Sequence, residues 1–194
     1  MTKTRPGVTL ARLRAVSLDL FATHGIVGTS LQMIAEAMGV SKAAVYHHYP
    51  TKDAIVKAVM QPAFDGFARL VEEAESLEPG PERQLFLVTG LADQAVANRA
   101  LYAVMFQDLA VLEIITRDVQ LADLFWRLRA HLVDPHDGPL PELRAGIFLS
   151  GLVAPVRGDL SNGIPDDQLR EAILDSGVRL LINSSHSEGQ RSHD

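Results

Sequence analysis

The stretch Gly39 to Ala54, "GVSKAAVYHHYPTKDA", gathers Ser41, Lys42, Tyr46, His47, His48, Tyr49 and Lys52 within a few residues of one another. Such a cluster suits an active site, a metal site, or a surface laid against something charged and extended. Its local grammar narrows the choice. Gly39 supplies the backbone freedom of a tight turn. Ser41 is placed to cap a helix "KAAVYHHY", and Pro50 closes it. Upstream, "GTSLQMIAEAMG" predicts a short helix over Ser30–Met38, with Thr29 and Gln32 in the form of a capping box. Leu31, Ile34, Ala35 and Met38 of that helix share its inward face.

Two short helices joined by "GVS", with small Ala35 at their approach and Val45 spaced to pack on Ile34, form the pattern of a helix-turn-helix. The second helix of that motif enters the DNA major groove. Ser41, Lys42, Ala43 and Ala44 then lie at the end that approaches base edges, and Tyr46 and His47, one turn on, reach phosphates. Lys52 opens the next helix, where its ammonium and the free N–H groups can hold another phosphate, and Thr29 and Ser30 offer the same at the second helix. His47 and His48 also invite a metal, but helix neighbours point about 100° apart, and no Cys or carboxylate stands at a ligand spacing from them.

The longer segment "LFATHGIVGTSLQMIAEAMGVSKAAVYHHYPTKDAIVKAV" resembles the DNA-binding domain of the TetR (tetracycline-repressor-like) family of bacterial transcriptional regulators. The landmarks are "LFATHG" ending the first helix, "GTS" entering the second, and "IAEAMGVSKAAVYHHYPTKDAI" running into the fourth. They cover roughly residues 9–60. The resemblance implies backbone contacts from Thr29, Ser30, Tyr46, His47 and Lys52, and base contacts from Lys42, Ala43 and Ala44, with Tyr46 also within reach of bases. One departure is Tyr49, where the family often has Phe; the ring still suits the interior.

The rest of the chain fits a soluble helical protein. At 194 residues, 47% hydrophobic and 22% charged, it can bury a sizeable core. It has no cysteine, which removes disulfides, thiolate catalysis and Cys-based zinc sites and suits a reducing cytosol. "MTKTRPGVTLARLR" is basic but is followed by no unbroken apolar core, so no signal peptide is expected. "GIFLSGLVAPV" is too short to span a bilayer. The net charge of −6 conceals a split. Residues 1–60 carry seven basic against three acidic residues, a net +4, and the remainder eleven against twenty-one, a net −10. A basic head on an acidic body predicts that only the head meets a polyanion.

Helical periodicity dominates. The expected helices are Thr9–His24, stopped by Gly25; Ser30–Met38; Lys42–Tyr49; a long one from Thr51, which Pro62 should kink or split; then Glu82–Asn98, Arg99–Leu109, Leu112–Leu132 as one helix or two, Glu142–Val156, and Pro165–Ile182. The expected class is therefore all-α, about nine helices. Residues 1–52 form a DNA-binding domain, 53–183 an effector-binding and dimerisation domain, and 184–194 a disordered tail.

The body's large rings and flexible methionines suit either a plain core or an adaptable apolar pocket. The resemblance implies an effector pocket lined by some of Phe67, Phe86, Tyr102, Met105, Phe106 and Trp126. Gln107, Arg127 and His131 are candidate polar anchors, each equally suited to the surface. Gly146, Ser150 and Ala154 lie four apart with Ile147 and Gly151 beside them, a spacing that lets another helix approach. Leu169, Ile173, Val178 and Leu181 make an apolar stripe on the final helix. The resemblance implies that these two helices pair with their copies in a four-helix bundle; intrachain packing is the alternative.

The expected protein is a cytoplasmic, ligand-responsive repressor, a homodimer on a palindromic double-stranded DNA operator, released by a small, largely apolar effector. Neither cofactor nor membrane partner is expected. The alternative is a metal-binding or catalytic helical protein that uses the helix-turn-helix as scaffold. The sequence holds no phosphate-binding glycine loop, G-x-S-x-G or H-E-x-x-H. "DPHD" (Asp134, His136, Asp137) reads as a turn before a metal site.

Overall fold

A computed structural model describes residues 9–105, 109–133, 139–152 and 163–182. Every regular element among them is helical. The α-helices are α1 Leu10–Gly28, α2 Leu31–Met38, α3 Lys42–His48, α4 Lys52–Glu75, α5 Pro81–Ala97, α6 Arg99–Met105, α7 Leu109–Arg117, α8 Val119–Leu132, α9 Pro139–Gly151 and α10 Asp166–Gly177; a π-helical turn, Val178–Ile182, follows. The expected tail and the "DPHD" loop lie outside the described residues.

The chain divides into two compact units, Met1–Pro62 with Val104–Ile115, and Ala63–Ala103 with Thr116–Asp194. The division falls inside α4 at Pro62. In the first unit α1 starts at Thr9, whose Oγ1 accepts from the Arg12 amide at 3.3 Å. It is interrupted at Gly25, where φ is 71° and ψ 165°. Its last turn is then finished by Thr29, whose N–H donates to the carbonyls of Gly25 and Ile26. α1 packs on α2 and α2 on α3. Leu13, Phe21, Ile34, Ala35, Met38, Val45, Ile55 and Val56 form the buried centre.

The second unit is built on α5. α10, α8 and the π-helical turn pack against it, and α9 packs on α8 and on the same turn. α10 reaches α5 closely because position 177 has no side chain. A Cβ there would stand 2.5 Å from Val88 Cγ1 and 2.8 Å from the Phe148 ring. α10 is joined to its neighbours at the surface by Arg170 to Asp93 and by Arg99 to Asp166.

Two open element expectations are decided and one needs correction. Pro62 does not split α4, which runs from Lys52 to Glu75 with the proline inside. The segment 112–132 contains a helix boundary at Asp118, whose carboxylate accepts from the amides of Gln120 and Leu121 and so opens α8. The last helix does not run regularly from 165 to 182: Pro165 lies just before α10, and the backbone changes to π-helical geometry after Gly177.

Candidate nucleic-acid interface

The turn between α2 and α3 is defined at every step. Gly39 takes the left-handed conformation, φ 66° and ψ 30°. Its N–H donates to Glu36 O at 2.9 Å, and that of Val40 to Ala35 O at 3.0 Å. These two bonds close α2 as a Schellman motif and satisfy carbonyls the helix end would leave open. A Cβ on Gly39 would meet nothing within 4 Å, so the backbone angle, not space, requires glycine. Ser41 then caps α3, its Oγ accepting from the Ala44 amide at 3.2 Å.

With Val45 fully buried, the opposite face of α3 points to solvent. Lys42, Ala43, Tyr46 and His47 are exposed there, spread over about 140° of arc at 100° per residue. Tyr46 is 56% exposed, far too open for a core aromatic. Ala44 is half-buried at the edge of this face, and Tyr49 is half-buried behind it. His48 lies off the face, its ring edge-on to that of His47 at 5.3 Å.

Thr29 and Lys52 are placed differently from expectation. Thr29 is only 1% exposed. Its hydroxyl donates to Gly25 O at 2.8 Å and to Leu20 O at 3.2 Å, so it finishes α1 and offers nothing to a phosphate. Nor does it head a capping box with Gln32. Ser30 is the N-cap of α2, accepting from the Met33 amide at 3.2 Å, while Gln32 donates to Glu36 at 2.6 Å. The hydrophobic run misplaces the cap by one residue because Thr29 is already claimed by α1. Lys52 Nζ donates to the carbonyls of Ile26 and Val27 at 2.8 and 2.9 Å.

The N-terminal geometry has known counterparts. Residues 13–59 match the family model described as bacterial regulatory proteins, tetR family. Over these residues the chain is similar to the tetR family. The HTH-type transcriptional regulatory protein RaaS of Mycobacterium tuberculosis is 46% identical over 48 residues, 25% of this chain and 22% of that protein. The transcriptional repressor KstR2 of Mycolicibacterium smegmatis is 23% identical over 107 residues, 55% of this chain and 52% of that protein. The chain thus spans about half the length, or less, of these relatives in sequence. In fold it is similar to the ketosteroid transcriptional regulator KstR2 of Mycobacterium tuberculosis, with a TM-score of 0.68, 18% identity, and 91% of this chain and 96% of that one covered.

Beyond residues 13–59, the described members of the expected pocket set sit on four helices, Phe67 on α4, Phe86 on α5, Tyr102 on α6 and Trp126 on α8. Phe67 packs its ring against Phe125 at 5.9 Å, and Tyr102 is buried, which raises its phenol above the ordinary range by desolvation. Trp126 is 62% exposed. Phe106 and Gln107 lie outside the described residues, as does the side chain of Met105. An open groove of about 500 Å³ runs along α4 and α5, with Leu70, Leu85 and Phe86 as its apolar lining and Glu73, Glu82 and Asp93 among its polar residues. Of the described members of the expected set, Phe86 lines it.

Arg127 and His131, candidate polar anchors, belong to a surface network. Arg127 donates to Glu75 at 2.7 and 3.0 Å, which draws that carboxyl below its ordinary value. Arg83 donates to Leu77 O and faces His131 Nδ1 at 3.2 Å. With a guanidinium on that side, Nδ1 accepts and Nε2 carries the proton toward Glu75 at 3.4 Å. No group of three metal-ligating side chains occurs among the described residues.

The dimer expectation divides. Leu169, Ile173 and Leu181 are buried within the chain and have no surface to give a partner; Val178 is half-buried. The reason is α5: α10 turns its apolar stripe onto that helix and leaves Gln168, Glu171, Asp175, Ser176 and Arg179 outside. α9 does the reverse. Leu140, Leu143 and Ile147 are exposed in one stripe that continues to Ser150 and Gly151. A Cβ on Gly146 or Gly151 would meet nothing within 4 Å. Ala154 lies outside the described residues. No helix among the described residues is long and apolar enough to cross a membrane.

Proposed function

We propose that the protein is a cytoplasmic transcriptional repressor that binds a palindromic operator as a homodimer and is released by a small, largely apolar effector, with no catalytic activity of its own. The observation that carries this reading is the outward face of α3. Lys42, Ala43, Tyr46 and His47 stand free of the core on a helix whose two ends are fixed by Ser41 and by the Val45 carbonyl–Tyr49 amide bond. A lysine, a phenol and an imidazole supply donors to phosphate and base edges. Ala43 permits close approach and a methyl contact with thymine.

One such head carries few cations, so affinity requires two. Two heads on one dimer read half-sites about 34–36 Å apart or a multiple of that. The exposed stripe of Leu140, Leu143 and Ile147 supports α9 as the helix that meets its copy. Helix α4, part of both units by connectivity, supports coupling of an effector in the body to the head. Coupling requires that the effector bind the DNA-competent and DNA-incompetent states with different affinity.

Fluorescence anisotropy of a labelled mixed-sequence duplex, titrated with the protein at several salt concentrations, tests the DNA step. The expected result is salt-dependent binding that Lys42→Ala and Tyr46→Ala weaken. Binding that neither substitution changes contradicts the assignment of this face.

A further inference from the structure

We infer that Arg14 and Lys52 form a reciprocal clasp between α1 and α4 that positions the reading helix and withholds both cations from phosphate. Each helix of the pair has one place where its ladder of backbone bonds stops short of a carbonyl. In α1 it is the helix end at Gly28, which leaves the Ile26 and Val27 carbonyls without an amide four residues on. In α4 it is Pro62, which has no N–H to give the carbonyl four residues back, that of Ala58. Lys52 of α4 donates to Ile26 O and Val27 O at 2.8 and 2.9 Å. Arg14 of α1 donates through Nε to Ala58 O at 2.6 Å. At each place a cation from the other helix meets the carbonyl.

The position of the clasp matters for DNA. Lys52 ties residues 26 and 27 to residue 52, and everything between them is the helix-turn-helix. The tie therefore closes that segment into a loop at its two ends, while Arg14 makes a second tie six residues, or about 9 Å, further along α4. A rigid base of this kind sets the angle at which α3 is presented. Two of the seven basic residues of the head are spent on carbonyls, and Lys3 and Arg5 lie outside the described residues, so Lys42 is the exposed lysine of the reading face.

This assignment of roles at the DNA rests on the DNA-binding reading above; the clasp itself does not. The test uses the full chain and two readouts. In urea unfolding, Arg14→Ala is expected to lower the midpoint by about 0.5 M, from one hydrogen bond and an m-value typical of proteins. In a Pro62→Ala background the restored amide serves Ala58 O, and the same substitution is expected to cost less than half as much. If Arg14→Ala fails to fold alone, Pro62→Ala is expected to rescue it. An equal loss in both backgrounds, or no rescue, overturns the clasp.

In DNA titrations, Lys52→Met is expected to weaken binding severalfold with an unchanged slope of log K against log salt. Lys42→Ala is expected to flatten that slope by about one per head. A flatter slope for Lys52→Met makes it a phosphate ligand and overturns its role here. If the unaltered protein binds no DNA, the functional reading fails while the unfolding cycle still decides the clasp.

Discussion

Thr29 separates the two accounts of the head most sharply, because family resemblance places it at phosphate and the structure places it in the core. Replacing it with Val keeps the shape and the extended backbone, φ −86° and ψ 132°, that a β-branched residue favours. What disappears is one hydroxyl proton, shared between Gly25 O at 2.8 Å and Leu20 O at 3.2 Å. Gly25 O keeps the Thr29 N–H at 3.2 Å, so no carbonyl is wholly abandoned. The loss is one buried hydrogen bond plus partial desolvation, about 1–2 kcal/mol. At about 2–4 °C per kcal/mol for a chain of this size, Tm should fall by about 2–8 °C. Thermal unfolding followed by far-ultraviolet circular dichroism measures this, and DNA titrations on the same variant should show an unchanged salt slope. An unchanged Tm with a flatter salt slope would mean that the hydroxyl faces DNA and refute the reasoning.

Gly177→Ala should destabilise the body by about 1 kcal/mol, because overpacking against Val88 and Phe148 exceeds the gain in helix propensity; chemical denaturation checks it. Ile147→Glu should leave the helical signal intact while sedimentation shows a monomer, since it places a charge on the exposed α9 stripe. Glu75 supplies a pH dependence. Arg127 holds its carboxyl below the usual 4.5, so its stabilising contribution is complete above that value and is lost as pH falls through the lower, folded one. Glu75→Gln should therefore flatten the acid limb of the stability profile below pH 4.5, measured by urea midpoints at each pH.

The sequence makes the head legible and the body much less so. Gly25, Ser30–Met38, Gly39, Ser41 and Pro50 mark the first three helices because each is local: a φ above zero, a cap, a proline. Asp118 is a signal of the same kind, an Asp directly before an apolar-periodic run, and it identifies the start of α8 once weighed as a cap. Pro62 leaves kink and split both open, because the donor that serves the carbonyl it abandons, Arg14, is 44 residues away from Ala58. Lys52 and Thr29 mislead for the same reason: their residue types suit phosphate, and only the fold brings backbone carbonyls within reach. The stripe Leu169–Ile173–Leu181 is a correct reading of an apolar face; its partner, α5 or a second chain, is tertiary information. Gly177 matters through the atoms opposite it, which periodicity does not encode.

The central claim is that the exposed face of α3 reads DNA as one half of a symmetric pair. Selection of bound sequences from a library of random duplexes, with the purified chain and with its Tyr46→Ala variant, tests it most directly. The account predicts that the unaltered protein enriches an inverted repeat whose half-site centres are about 10 base pairs apart or a multiple of that, and that the variant loses the enrichment. Enrichment of no motif by the unaltered protein, or of the same motif at the same strength by Tyr46→Ala, would contradict it.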